Sequence, residues 1–173
     1  MITLKLRNPH WLENVNPEND LCAHGGVEIQ ANEITFSDGS YTNWTVSASA
    51  LYFLRTITQD HTKEKPVYEH LIPCCGFCMY AQGEGEDVVL FGCPNGIDFE
   101  VKHMDDKVIL KKSEKEETTI TFGEWQQAIY SFADSVEAFF RSSQPKQPFD
   151  QTDSEGYIAF WNEWKRRRHA KIS

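Results

Sequence analysis

The chain has 173 residues, 40% hydrophobic and 13% aromatic, a length that suits one globular domain over 1–173 with a sizeable core. Its formal charge of −9 is unevenly placed: the last nine residues, "KRRRHAKIS", hold five of the 17 Lys and Arg, which leaves residues 1–164 with 12 bases against all 26 acids, a balance of −14. So acidic a body repels phosphate backbones, which argues against general DNA or RNA binding, while the same field attracts a basic protein.

In chain order, "ITLKL" alternates apolar and polar side chains and predicts a first strand. "VEIQANEITF" alternates on both sides of Ala31-Asn32 and predicts a hairpin, with "SDGS" as the next turn. From Thr45 or Ser47 as cap, "SASALYFLRTITQDH" reads as a helix with Ala50, Leu51, Leu54 and Ile57 on its apolar stripe. The cysteine stretch "LIPCCGFCMYA" and the acidic turn "QGEGED" follow. "VVLF" and "IDFEV" flank "GCPNG", where Pro94, Asn95 and Gly96 suit a hairpin with a bulge. "MDDK" turns into "VILKK" and "TTITF", an antiparallel meander.

Thr121 and Glu124 then have capping-box spacing at the start of "TFGEWQQAIYSFADSVEAFFRS". Its residues Trp125, Ile129, Phe132, Val136, Phe139 and Phe140 recur every three or four positions. The Pro-, Ser- and Gln-rich stretch 141–156 reads as a loop before a last helix, "SEGYIAFWNEWKRRR". Local hairpins and few, long helices predict an α+β fold: a twisted antiparallel sheet with about three helices packed on it.

The N-terminus "MITLKLRNPHW" lacks the apolar run of a signal peptide, and no stretch approaches a membrane span, so a cytoplasmic location is expected. Five cysteines are an odd number, and a reducing compartment keeps thiols free, so no disulfide framework is expected. Cys75-x-x-Cys78 has the spacing that lets two thiolates grip one tetrahedral zinc, with Cys22, His24, Cys93 and His103 available to complete the set. A second knuckle at similar spacing is missing, and free cysteine is often simply core filler, the reading preferred here, with no cofactor; zinc is the alternative. A redox role needs the CxxC at a helix start, whereas here it runs into a glycine-rich turn.

"DLCAHGG" places Cys22 and His24 on one side of an extended chain ahead of Gly25-Gly26, an arrangement compatible with a nucleophile beside backbone donors. No G-x-S-x-G elbow accompanies it, and a loop tightening into the strand at Val27 explains it as well. Phosphate loops, dinucleotide fingerprints, H-E-x-x-H and EF-hand patterns are all absent. Trp161 and Trp164 lie on one side of the last helix, where they serve either as partner anchors or as packing against the domain's own sheet. Lys165 to Arg168 complement the helix dipole, so the basic tail needs no nucleic acid to explain it.

At "DLCAHGGVEI", "SASALYFLRTITQDH", "LIPCCG", "GCPNGIDFEV" and "FWNEW" the chain resembles a family of small uncharacterised bacterial proteins of similar length. Its general type, a compact acidic α+β protein of bacterial cytoplasm, is similar to the immunity proteins that neutralise toxins. The resemblance implies no catalytic residue. Together these readings predict a non-enzymatic protein-binding module, an immunity-type antidote for a basic toxin. The alternative is a zinc-binding or thiol-dependent enzyme using Cys22, His24, Cys75, Cys78 and Cys93. A homodimeric module is compatible with the same sequence.

Overall fold

The computed structural model describes residues 1–76 and 78–169. Strand β1 (Ile2–His10) pairs antiparallel with β2 (His24–Ala31), which pairs with β3 (Ile34–Asp38) and, at its start, with β4 (Trp44–Thr45). Flanked on both edges, β2 is buried along nearly its whole length. Helix α1 (Val46–Arg55) follows β4 directly, and every residue from Val46 to Leu54 is buried. A helix of such small and apolar residues belongs at the centre of a fold rather than on its surface. Its two serines are satisfied inside: Ser47 Oγ accepts from the Ala23 N–H at 3.1 Å, and the Ser49 hydroxyl donates to the Thr45 carbonyl at 3.1 Å.

The helix stops at Arg55, earlier than the predicted run to His61. His61 is instead drawn into a bridge with Val101, where its ring is 1% exposed. Nδ1 accepts from the Val67 N–H at 3.1 Å, which leaves Nε2 as the donor to Asp98 Oδ1 at 2.9 Å. This anchors the polar connector before the cysteines.

Strands β5 (Ile72–Pro73) and β8 (Gly96–Ile97) form a two-residue ladder, and β6 (Cys78–Gln82) pairs with β7 (Asp87–Phe91). The predicted hairpin across "GCPNG" is therefore corrected: β7 folds back onto β6, and Gly96-Ile97 crosses to β5. The turn between β6 and β7 supplies the reason, since Gly83 and Gly85 take φ of 58° and 84°, values that glycine alone adopts without cost. Strands β9 (Glu100–Met104), β10 (Lys107–Ser113) and β11 (Glu116–Thr121) make the predicted meander.

Helix α2 (Phe122–Arg141) begins with the predicted capping box: the Glu124 N–H donates to Thr121 Oγ1 at 3.2 Å and the Thr121 N–H to Glu124 Oε2 at 3.0 Å. Helix α3 (Gln151–Arg168) is capped by Asp150, whose Oδ1 accepts from the Asp153 N–H at 2.9 Å. The fold is α+β with these three helices, as predicted, but its strands divide among several antiparallel sheets instead of one.

Helix α2 lies over β1 and α1, and α3 covers β6 and β7. Phe53 of α1 stands edge-on to Trp125 and Phe132 of α2, with centroids 6.1 and 5.9 Å apart. Such pairs add about 0.5–1.5 kcal/mol each beyond area burial. Between α3 and β6 the approach is close enough that a Cβ on Gly156 would meet the Met79 carbonyl oxygen at 2.1 Å. Among the described residues, no helix is long and apolar enough to cross a membrane.

Candidate functional site

The β5–β8 ladder brings the two ends of the cysteine-bearing chain together. Pro73 pairs with Gly96, and the next residue, Cys74, donates its N–H to the Asn95 carbonyl at 2.8 Å. The irregular segment 92–95 then lies directly on Cys75: a Cβ on Gly92 would stand 2.1 Å from the Cys75 carbonyl oxygen, so only glycine permits the contact. As a result the sulfurs of Cys74, Cys75 and Cys93 all lie within 4.8 Å of one another, each half-buried.

The three thiols are not equivalent. Burial, reinforced by the neighbouring Cys93, pushes the Cys75 thiol up to about 11, and burial raises that of Cys74 in the same way. Cys93 is shifted down, first because Cys75 hydrogen-bonds to its sulfur. The Cys93 N–H donates to Cys75 Sγ at 2.8 Å, an N–H···S bond that offsets part of the rise at Cys75.

Of the residues that the sequence grouped as zinc ligands, Cys75 and Cys93 come together. Cys22, Cys78 and His24 do not join their cluster, and Cys74, which the CxxC spacing passed over, does. Cys22 is fully buried and its thiol donates to the Gly76 carbonyl at 3.2 Å; burial pushes its pKa far above the ordinary thiol range. Cys78 lies on β6, half-buried. His103 is engaged elsewhere, its Nδ1 2.8 Å from Asp60 Oδ1. The adjacency "CC" was the one signal that pointed to Cys74. No local pattern, however, ties residues 74–75 to residue 93.

His24 lines a cleft of about 520 Å³ together with His10, Glu13, Tyr41, Cys74 and Cys75. It is 5% exposed, its Nε2 lies 3.8 Å from Asp20 Oδ1, and among the described residues that nitrogen has no hydrogen-bond partner. Asp20 is held by other contacts, accepting from the N–H groups of Leu12 at 2.9 Å and Cys22 at 3.2 Å. Gly25 and Gly26 sit inside β2, paired with Trp44 and Arg7, so they form ladder rather than a free oxyanion loop.

The tryptophans of α3 separate. Trp164 is 1% exposed, packed on Phe160 and Trp161 with its Nε1 3.4 Å from Glu137 Oε2, so its surface is spent inside the molecule. Trp161 is half-buried against Phe140, Phe160 and Trp164, and it keeps one side on a shallow hollow with Glu137, Arg141 and Lys165.

An outward aromatic pair lies on the β6–β7 hairpin instead. Tyr80 and Phe91 are 44% and 58% exposed and stand edge to face with centroids 5.6 Å apart. The exposed acids Glu84, Glu86 and Asp87 crowd the turn of the same hairpin. The basic tail is meanwhile occupied. Arg166 pairs with Asp87, Arg167 with Glu163 at 2.7 Å, and Arg168 grips Asp134 with two bonds of 2.7 and 2.8 Å. Arg7, Arg55 and Arg141 likewise pair with Glu28, Glu163 and Glu137, so all six arginines contact acids of this chain. Compared with protein-family models, with curated proteins and with solved structures, the chain matches none.

Proposed function

We propose that this protein acts by binding a basic protein partner, as an immunity-type antidote does to a toxin. The observation that carries the reading is the outer face of the β6–β7 hairpin, where the exposed Tyr80–Phe91 pair adjoins the acids of the turn. Exposed aromatics of this kind act as anchors once desolvated, and surrounding charge steers the encounter. The pairing of every arginine with an acid of the same chain supports it, because the fixed guanidiniums are then committed and the surplus acids face solvent.

The experiment is co-expression with the product of the neighbouring gene, followed by calorimetric titration of the purified pair. The expected result is relief of that product's toxicity and a complex whose affinity falls at least about 100-fold in Tyr80→Ala/Phe91→Ala, with the apo melting temperature little changed. Glu84→Lys/Glu86→Lys should slow association and flatten its salt dependence. A neighbour that is neither toxic nor bound, or a complex indifferent to both pairs of substitutions, overturns the proposal.

A further inference from the structure

We propose that Cys74, Cys75 and Cys93 form a site for one soft, thiophilic cation of the zinc class, held by three thiolates, two of which, Cys74 and Cys75, line the cleft shared with His10 and His24. Three sulfurs within 4.8 Å of one another can share a single ion, and thiolate sets select soft cations over magnesium or calcium. The site is built rather than accidental. The β5–β8 ladder fixes both chain segments, Gly92 is needed for their contact, and the Cys93 N–H already points at Cys75 Sγ.

The other two thiols show what structural cysteines look like in this chain: Cys22 is sealed in the core and bonded to a carbonyl, and Cys78 is one strand residue among others. Unlike Cys22 the clustered three are half-buried, open enough for an ion to enter, and unlike Cys78 their sulfurs lie together. A second observation points the same way, since His24 lines the adjoining cleft with a buried Nε2 that has no hydrogen-bond partner among the described residues. Three protein ligands beside a cleft leave a fourth position for water or for a group brought by another molecule. In binding, each S–H releases its proton to solvent as the sulfur joins the cation, so affinity falls as pH falls. This inference stands apart from the partner-binding proposal, which uses the outer face of the β6–β7 hairpin.

The test uses the full-length reduced protein, stripped with chelator and titrated anaerobically with Cd²⁺ while the ultraviolet sulfur-to-cadmium charge-transfer band is followed. A band that saturates at one equivalent is expected, together with proton release to a weak buffer. Competition with a chromophoric chelator should show Zn²⁺ affinity falling more than about tenfold in each of Cys74→Ser, Cys75→Ser and Cys93→Ser. Cys22→Ser and Cys78→Ser should leave it unchanged. To keep the test independent of how a serine variant folds, ¹¹³Cd NMR of the unaltered protein supplies the second readout, with a shift characteristic of three sulfur ligands. No saturable band, a shift showing fewer sulfurs, or equal losses in Cys78→Ser and Cys93→Ser overturns the proposal, as does isolation of a Cys75–Cys93 disulfide with no cation affinity after reduction.

Discussion

Arg55 of α1 and Glu163 of α3 face each other through two bonds, Nε to Oε1 at 2.8 Å and Nη2 to Oε2 at 2.9 Å, with Glu163 wholly buried. The carboxylate has all four acceptor sites filled and the guanidinium uses four of its five N–H groups. The carboxylate also accepts from the Val88 N–H at 3.0 Å and from Arg167 at 2.7 Å, and the guanidinium donates to the carbonyls of Val88 at 2.6 Å and Val67 at 3.3 Å. One ion pair thus joins the central helix, the last helix, the β6–β7 hairpin and the connector before the cysteines.

Breaking that pair from one side should be costly, because the partner charge stays behind in the interior. Glu163→Gln is expected to destabilise the protein by about 3–5 kcal/mol in denaturant unfolding. Arg141→Ala, which removes an exposed pair with Glu137, should cost no more than about 1 kcal/mol. Equal losses in the two variants would refute the central role of the buried pair.

The same carboxylate gives the protein an acid limit. Burial acts to raise the Glu163 carboxyl, but the bonds and charge of Arg55, with the Val88 N–H and Arg167, outweigh it and hold the group below its ordinary value. For Asp20, burial is likewise outweighed, by the nearby His24 ring and by hydrogen bonds from the Leu12 and Cys22 backbone. A carboxyl depressed in the folded state contributes stability that is complete above its unfolded pKa, about 4.3 for Glu and 3.9 for Asp, and that fades as pH falls through the folded value. Melting temperature should therefore hold from neutrality down to about pH 5 as far as these two groups are concerned, and decline below it. In Glu163→Gln that decline should be shallower.

Two glycines of the helices should respond in opposite directions. At Gly156 an added methyl would press on Met79, its carbonyl oxygen at 2.1 Å and its Cβ at 2.8 Å, so Gly156→Ala is expected to lose about 1–3 kcal/mol by forcing α3 off β6. Gly123, in the first turn of α2, has nothing within 4 Å of that position, and Gly123→Ala should gain about 0.4–1 kcal/mol. Chemical denaturation of the two variants beside the parent protein measures both.

Thiol labelling separates the cysteines by environment. Cys93, half-buried and with its thiol shifted down by the bond from Cys75, should react first with iodoacetamide at neutral pH. Cys22, sealed and shifted strongly up by burial, should react last, on the timescale of unfolding. Mass-spectrometric mapping of the order of labelling checks this, and early modification of Cys22 would contradict its placement in the core.

Local pattern sufficed for much of the architecture. The capping box at Thr121 and Glu124, the periodic face of α2, the Ala31-Asn32 hairpin and the β9–β11 meander all follow from interactions within a few residues, so they were legible in the sequence. The α+β class follows from them. Tertiary contacts decided the rest. Whether β7 would pair forward across "GCPNG" or back onto β6 depended on which turn closed more cheaply, and Gly83 and Gly85 settled it. Trp161 and Trp164 lie three residues apart on α3, yet Trp164 is interior, with its Nε1 on Glu137 of α2, and Trp161 is only half-buried. The thiol cluster joins Cys74 and Cys75 to Cys93 through a ladder of two residue pairs formed across a long stretch of chain. Composition determined the acidic field and spacing determined the helices, because both arise from short-range chemistry; which sulfurs meet is set by long-range packing, to which spacing along the chain is blind.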